Sequence, residues 1–371
     1  MPNSTAISPP VTGVVRFPRR PSDLAPEVRE RANDWSQCPP GDGSLVRHMG
    51  ESMSATLVSN GCHRPPEPVV AVVGANGFLG GSLMRALSRA GVEARGYTSA
   101  DPAVCGTRPD PALCRADVIF YLASRISPAI AEREPERATE EITAFRAFLE
   151  TLRENQRRPV VTIAASGGTV YDPGCEPPFD ERSPVRPSSV YGRAKLDQED
   201  ALARASGWIA PVVLRLSNVY GPGQRTTAGY GVVGHWMKAL LAGERLRMLG
   251  HGGSSRDYVH VDDVANAMFG VLGRESALRA ADRPTVLNIG AGFPTSLDDL
   301  LQHLEVTVGR PIPVEREPAR SFDRKSVWLD IRRAADVLGW RPEVGIAEGL
   351  ADTWAYHLSQ ESGHAPGSNG P

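Results

Sequence analysis

Residues 69–80, VVAVVGANGFLG, decide the fold of this chain. The apolar run Val69–Val73 is typical of a buried strand, and the glycines that follow it allow a tight turn. The turn leads into a helix that Gly91 can end. The apolar face of that helix is formed by Leu79, Leu83, Ala86 and Leu87. A strand, a glycine turn and a helix in direct succession predict the first half of a βαβ unit.

The alternation of short apolar runs with amphipathic segments continues to about residue 217. Pro135 is well placed to open a helix from about Glu136 to Glu154. Further strands are predicted at 92–97, 118–123, 160–164 and 212–216. This succession predicts the α/β fold class, with a doubly wound (Rossmann) parallel sheet and a smaller α/β C-terminal substrate lobe.

Composition divides the chain into four parts. Residues 1–67 are rich in Pro, Ser, Arg and Asn, so we expect a disordered leader or a spurious upstream start rather than a functional module. Residues 68–217 are predicted to form the dinucleotide-binding core. Residues 218–358 are predicted to form the substrate lobe, partly interleaved with the core, and residues 359–371 a disordered tail. The lobe is predicted to contain a helix near 232–241 and strands at 246–249 and 286–289.

The overall charge argues against a polyanionic partner. Lys and Arg total 41 against 43 Asp and Glu, which gives a formal net charge of -2. That balance excludes a general pull toward nucleic acid or an anionic membrane. The five cysteines form no CxxC pair, and no run of 18 apolar residues occurs. We therefore expect a cytoplasmic protein in a reducing compartment, without a nucleic-acid partner, membrane insertion or a metal site.

The glycine turn has the spacing GxxGxxG, formed by Gly74, Gly77 and Gly80. Free backbone N–H groups and the dipole at the start of a helix favour a pyrophosphate. Tight packing alone would also explain such a turn, but its place between a strand and a helix favours a dinucleotide cofactor. No carboxylate follows the second strand until Asp101, so the choice between NAD and NADP stays open. Arg95 is expected to face solvent, although it could meet a 2′-phosphate.

Tyr191 and Lys195 are spaced i and i+4, hence on one face of a helix that Ser188 or Ser189 could cap. A tyrosine with its ordinary pKa near 10 is a poor base at neutral pH. We expect the nearby ammonium to favour the phenolate, so that the pair exchanges a proton with a sugar hydroxyl or ketone. A chance surface pair is the alternative, but the pair follows the strand at 160–164 and a glycine-containing loop, which favours a functional site.

With these residues, four further motifs make the chain resemble the extended short-chain dehydrogenase/reductase family. The branch that it resembles contains the NAD-dependent nucleotide-sugar epimerases and dehydratases, with UDP-glucose 4-epimerases among them. The resemblance covers about residues 69–358. The four motifs are LSNVYGPG at 216–223, RDYVHVDD at 256–263, LNIG at 287–290 and LGWRP at 338–342.

The resemblance implies a role for individual residues. Tyr191 would be the catalytic base, and Lys195 its electrostatic helper and a ligand of the nicotinamide ribose. Asn218 and Arg256 would contact the diphosphate or the sugar of the substrate, for which the planar fork of an arginine is suited. The residues implied to bind the cofactor are Gly74, Gly77, Phe78, Leu79, Gly80, Thr98, Ala123, Tyr191 and Lys195.

The loop after the strand at 160–164 departs from the family pattern. Relatives place a Ser or Thr where this chain has Gly167, to hydrogen-bond the reacting sugar oxygen. Ser166, one residue earlier, is our first candidate for that role, and Thr169 is the second. Relatives that eliminate water have an Asp-Glu pair where this chain has Gly168 and Thr169, which argues against a dehydratase.

Other conspicuous side chains are predicted to be structural. The sequence offers His235 and His260 no partners at ligand spacing, so we expect structural histidines. Trp236 and Trp340 are expected in the core. The adjacent carboxylates at 262–263 are expected to start a helix, where they suit its dipole.

The preferred function is a reversible 4-epimerisation of a nucleotide-linked or similarly activated sugar. It would proceed through a transient 4-keto sugar and a tightly held nicotinamide cofactor, NAD or NADP. A ketoreductase acting on a nucleotide-linked 4-keto-6-deoxysugar would use the same residues and is the first alternative. A catalytically silent dinucleotide-binding protein is the second. Relatives of this kind are commonly homodimers through paired helices, so we expect a homodimer here.

Overall fold

A computed structural model describes residues 68–224, 231–250, 253–318 and 325–362, and its first elements are the predicted strand and helix. Strand β1 is Val70–Val73 and helix α1 is Phe78–Arg89. The helix ends as expected, because Gly91 adopts a left-handed φ of +72° that lets the chain turn. The leader predicted over 1–67 lies outside the described residues.

The other elements alternate along the chain as follows. The strands are β2 Ala94–Tyr97, β3 Val104–Cys105, β4 Arg108–Pro109, β5 Val118–Tyr121, β6 Val160–Ser166, β7 Ala210–Leu216, β8 Asn218–Tyr220, β9 Leu246–Leu249, β10 Ser255–Arg256, β11 Tyr258–His260, β12 Thr285–Ile289, β13 Thr295–Ser296, β14 Val314–Glu317 and β15 Ser326–Val327. The helices are α2 Pro128–Arg133, α3 Pro135–Thr151, α4 Val190–Arg204, α5 Val232–Leu241, α6 Val261–Leu272, α7 Glu275–Arg279, α8 Leu297–Val308, α9 Arg332–Leu338 and α10 Ile346–Ser362.

Six parallel strands form the main sheet, in the order β12-β7-β6-β5-β1-β2. The chain starts at β1, adds β2 on one side, and then adds β5, β6, β7 and β12 on the other. The order therefore reverses at β1, and a crevice opens beyond the carboxyl ends of β1 and β5, where ligands bind in sheets of this kind. The predicted doubly wound sheet is confirmed.

Alternate residues of the central strands feed two apolar layers. On β1, Val70 and Val72 pack in a cluster with Leu83 of α1 and Met268 of α6. Ala71 faces the opposite layer, which is built on α3 and α4. Both faces of the sheet are thus covered, which is why its strands are continuous apolar runs.

The C-terminal half contains two departures from prediction. Strand β12 was expected in the smaller lobe at 286–289, but it pairs with β7 in the main sheet. Helix α10 continues to Ser362, so residues 359–362 of the predicted tail are helical, whereas 363–371 lie outside the described residues. A third apolar cluster joins α5, β9, α8 and α10 and forms the core of the lobe, with Trp236 inside it. Within the described ranges, every helix falls short of the length and apolar character that crossing a membrane requires.

Candidate active site

The glycine turn at the end of β1 requires its glycines. Gly74 has a φ of +91°, and a Cβ there would lie 2.7 Å from the backbone nitrogen of Ala123. A Cβ on Gly80 would collide with the carbonyl oxygen of Gly74. Gly77 is the N-cap residue of α1, and it has no side chain that could accept a hydrogen bond from the first N–H groups of the helix. The turn therefore brings backbone close to the crevice and leaves the first N–H groups of α1 available to an anion.

A groove of about 1520 Å³ extends from this turn along the crevice. Five of the predicted cofactor residues line it, namely Gly74, Gly77, Phe78, Thr98 and Ala123. The hydroxyl of Thr98 stabilises its own turn, because it accepts hydrogen bonds from the backbone N–H groups of Ala100 and Asp101. Gly80 lies buried beneath the turn. The length of the groove and the close backbone approach fit an extended dinucleotide.

The end of β2 carries an ion pair at the surface. Arg95 and Asp101 approach to 2.8 Å, with side chains 43% and 56% exposed. Arg95 is thus exposed, as expected, and its guanidinium is paired with the carboxylate of Asp101. A cofactor 2′-phosphate would have to compete with the carboxylate of Asp101 for it.

A smaller cavity of about 150 Å³ adjoins the groove and brings the predicted catalytic residues together. Ser166 is the last residue of β6, while Tyr191 and Lys195 lie on α4, where Ser189 accepts a hydrogen bond from the backbone of Gly192. All three catalytic candidates line the cavity, together with Leu79 from α1. Tyr191 and Lys195 therefore lie in the cavity that adjoins the groove.

Lys195 is buried and held by two polar neighbours. Its Nζ lies 3.0 Å from Oε1 of Gln198 and 3.5 Å from Oε1 of Glu141, and 5.5 Å from the centre of the Tyr191 ring. Burial lowers the pKa of Lys195, and the attraction and hydrogen bond of Glu141 act against that shift. The ammonium is thus partly balanced by a carboxylate before any substrate arrives.

Two influences on the Tyr191 phenol act against the effect expected of Lys195. Burial raises the pKa of the Tyr191 phenol, and the negative charge of Glu141 raises it further. The neutral phenol is therefore favoured at neutral pH. Burial is the larger cause of the raised pKa, and the smaller cause is the carboxylate of Glu141 on α3, which the spacing within α4 does not reveal.

Sequence reasoning missed Glu141, which is 9% exposed on α3. Its carboxylate accepts hydrogen bonds from the Ser124 hydroxyl at 2.8 Å and from the Arg125 backbone N–H at 2.7 Å. Gln198 also donates to it, at 3.2 Å. A signal was present, because Glu141 lies on the apolar face of α3 with Ala138, Ile142 and Phe145. A charged residue on such a face needs a partner, and here the partner is part of the site.

The structure separates the two candidate hydroxyls. Ser166 lines the small cavity, whereas Thr169 does not, and among the described residues the buried hydroxyl of Thr169 has no hydrogen-bond partner. At Gly167 an added Cβ would lie 2.6 Å from Cδ1 of Leu329, which is fully buried. A side chain at the position where relatives have their hydroxyl would collide with Leu329, and this supports Ser166 as the donor.

The predicted substrate residues lie near the site but outside its cavities. Asn218 is exposed at the start of β8, with its Oδ1 beside the backbone of Gly168. Tyr258 of β11 pairs with Asn218, which brings the preceding segment, including Arg256, next to it. The Arg256 guanidinium donates a hydrogen bond to the carbonyl of Ser255. Neither Asn218 nor Arg256 lines the groove or the small cavity.

His260 has a partner that the sequence did not reveal. It is buried, its Nδ1 accepts a 3.4 Å hydrogen bond from the backbone of Asp262, and its Nε2 lies 3.5 Å from Asp352 of α10. Spacing in the sequence could not indicate this partner, because Asp352 lies ninety-two positions away in the chain. Asp262 is already engaged by the Ser82 hydroxyl at 2.8 Å. His260 therefore caps α6, and the predicted helix start at 262–263 is confirmed.

Trp236 and Trp340 are core residues, as expected. They are 3% and 5% exposed, and their indole N–H groups donate to the carbonyls of Arg247 and Asp263. Burial with a satisfied N–H excludes either ring as a stacking platform for a ligand.

Comparison with known proteins gives consistent matches. The model of the NAD-dependent epimerase/dehydratase family matches residues 70–290. The chain is 36% identical over 247 residues to a UDP-glucose 4-epimerase of Mycolicibacterium smegmatis, covering 64% of this chain and 75% of that protein. It is 27% identical over 235 residues to a dTDP-4-dehydro-6-deoxyglucose reductase of Escherichia coli, covering 62% and 72%.

A solved structure is similar across the whole described fold. The UDP-glucose 4-epimerase of Thermotoga maritima with UDP-glucose superposes with a TM-score of 0.69 at 27% identity. The match covers 79% of this chain and 99% of that one. Fold and sequence thus lead to the same group of proteins.

Proposed function

Since this chain belongs to the NAD-dependent epimerase/dehydratase family, we propose that it is a 4-epimerase of nucleotide-linked sugars. The observation that carries the proposal is the small cavity in which Ser166, Tyr191 and Lys195 meet at the end of the cofactor groove. A sugar carbon placed there lies against both a proton-transfer pair and the cofactor site. The similarity to a UDP-glucose 4-epimerase at 36% identity supports the same reaction.

The residues of the groove fit a nicotinamide dinucleotide. Gly74 and Gly80 allow backbone contact with a pyrophosphate, and Phe78 borders both the groove and the small cavity. The chemistry that such a cofactor supplies when bound is the acceptance of a hydride from the sugar C4 and its return to the opposite face. We propose NAD rather than NADP, because Asp101 already pairs with Arg95.

The side chains of the cavity divide the proton chemistry among them. Tyr191 removes the proton of the C4 hydroxyl and later restores it, which is the role of a general base and acid. Ser166 hydrogen-bonds the same oxygen and holds it near the phenol. Lys195 places a positive charge 5.5 Å from the centre of the Tyr191 ring, which opposes the effect of burial on the phenol.

The keto sugar has to turn over between the two hydride transfers, which requires an anchor outside the cavity. We propose that Asn218 and Arg256 bind the diphosphate, because Asn218 lies beside Gly168 and pairs with β11, the strand that closely follows Arg256. Anchoring the diphosphate leaves the sugar ring free to rotate.

The experiment is to incubate the full chain and NAD with UDP-glucose or UDP-N-acetylglucosamine and to follow the sugar by proton NMR. We expect the C4 epimer to appear without net change in NADH absorbance. Tyr191→Phe is the matched control and should abolish the conversion. Absence of any C4 epimer, in protein shown by mass spectrometry to hold its cofactor, would contradict the proposal for these substrates.

The similarity to a dTDP-4-dehydro-6-deoxyglucose reductase makes a ketoreductase the second candidate. A reductase would consume NADH or NADPH in a one-to-one ratio with a 4-keto-6-deoxysugar nucleotide. That stoichiometry, without epimer formation, would replace the first proposal. Cofactor binding without conversion of either substrate class would favour a catalytically silent protein.

A further inference from the structure

We propose that Glu141 is a positioning residue of the proton-transfer pair: its carboxylate holds Lys195 beneath the cavity and sets the charge that Tyr191 experiences. The inference rests on the proposed function, because it concerns how the same pair is tuned. It assigns a role to a residue that does not itself line the cavity.

The contacts of Glu141 all lead to the site. Oε1 accepts from Ser124 and Gln198 and lies 3.5 Å from the Nζ of Lys195, and Oε2 accepts from the backbone of Arg125 at 2.7 Å. Ser124, Gln198 and Lys195 each line the small cavity. One buried carboxylate therefore fixes three side chains of the cavity wall.

A purely structural role would not need a charge. Glu141 lies on the apolar face of α3, between Ala138 and Phe145, where burying a carboxylate is costly unless it is well bonded. An apolar residue would pack there without that cost. The carboxylate of Glu141 instead faces the ammonium of Lys195, so its negative charge acts on Lys195 and on the neighbouring Tyr191.

The titratable groups around Glu141 come from several elements. Tyr121 of β5 lines the cavity, and burial followed by the charge of Glu141 raises its pKa to about 12. Arg125 follows β5, and Tyr191 and Lys195 face Glu141 from α4. On α2, Glu132 is occupied by the backbone N–H of Val190. Lys195 is thus the buried cation that balances Glu141.

The direction of the effect follows from the sign of the charge. Glu141 raises the pKa of Tyr191 and also raises that of Lys195, against the lowering by burial. Removing the negative charge should lower both pKa values. Since Tyr191 and Lys195 set the two limbs of the pH–rate profile, both limbs should move to lower pH together.

The kinetic test compares Glu141→Gln with Glu140→Gln, a change of the same type at an exposed neighbour on α3. We expect both limbs of the kcat profile to move down by about one pH unit in Glu141→Gln. The Glu140 variant should keep the profile of the unmodified protein. Reduced turnover with unmoved limbs would show a structural role and would overturn the proposal.

A variant that keeps the carboxylate makes the test decisive should Glu141→Gln fold poorly. Glu141→Asp keeps the negative charge on α3 but draws it back from the Lys195 Nζ by one methylene group. Both limbs should then move to lower pH, by less than in Glu141→Gln. Limbs that stay in place, or that move to higher pH, would overturn the proposal.

A titration without substrate separates this proposal from the proposed reaction. The chain has only three lysines, Lys195, Lys238 and Lys325, and the last two are exposed. In protein labelled with 13C at lysine Cε, NMR follows each ammonium separately. Glu141→Gln should lower the pKa of Lys195 and leave the other two unchanged. An unchanged Lys195 overturns the inference, whereas a shifted Lys195 in a protein without epimerase activity overturns only the reaction.

Discussion

Helix α4 takes part in two buried ion pairs that are equally shielded from solvent and differently made. Lys195 and Glu141 have side chains 6% exposed, and Glu199 and Arg215 have side chains 7% and 6% exposed. The Lys195 Nζ reaches one oxygen of Glu141, at 3.5 Å. Arg215 of β7 instead bonds both oxygens of Glu199, at 2.7 Å and 3.0 Å. The α4 members of the two pairs, Lys195 and Glu199, are spaced i and i+4 on the helix, yet only Lys195 lines the cavity.

The difference separates a structural ion pair from the pair that we propose to take part in catalysis. Burial opposes the charge of Arg215, but the hydrogen bonds and attraction of Glu199 outweigh it, and the pKa of Arg215 is raised. At Lys195 burial outweighs the contact with Glu141, and the pKa is lowered. A bidentate pair fixes its charges, whereas the looser pair leaves a cation whose charge responds to its surroundings.

The largest effect is expected at the catalytic end of α4. Tyr191→Phe removes only the phenolic oxygen, so kcat should fall by about 1000-fold or more while stability changes by less than about 1 kcal/mol. Steady-state kinetics and urea unfolding measure the two quantities. A fall in kcat of less than tenfold would contradict the catalytic role proposed for Tyr191 at the start of α4.

The next effect is expected at the structural pair. Arg215→Met leaves Glu199 buried without its partner, which should lower the free energy of unfolding by about 3–5 kcal/mol. Turnover per folded molecule should stay within about threefold, since Arg215 does not line the cavity. Adding Glu199→Leu removes the uncompensated charge and should restore most of the stability. A double variant no more stable than the single one would contradict this account.

A smaller effect distinguishes the two hydroxyls beside the pair. Ser166→Ala should lower kcat about 100-fold, because it removes a hydrogen bond to the reacting oxygen. Thr169→Ala, the same loss of a hydroxyl outside the cavity, should change kcat by less than about threefold. Equal losses in the two variants would show that the cavity wall extends to Thr169.

Sequence patterns predicted the parts of the site that lie close together in the chain. The glycine turn, the pair Tyr191 and Lys195, and the cap Ser189 each occur within one turn or one helix, where spacing determines geometry. Glu141 and Leu329 reach the site from other elements, and no local spacing records such contacts. The main sheet was predicted except for β12, whose place beside β7 depends on how the chain crosses over, and a short apolar run does not reveal that.

The smallest effect is expected at the surface ion pair of Arg95 and Asp101, which is far more exposed than the two buried pairs of α4. Asp101→Asn removes the charge that faces Arg95, and the guanidinium then becomes available to a 2′-phosphate. Because both side chains are exposed, the affinity for NADP relative to NAD should rise only about fivefold, as measured by titration calorimetry. Adding Arg95→Leu should cancel the gain. A gain that persists without Arg95 would mean that other groups of the groove select the cofactor. The expected gain is small because solvent screens this exposed pair far more than it screens either buried pair of α4.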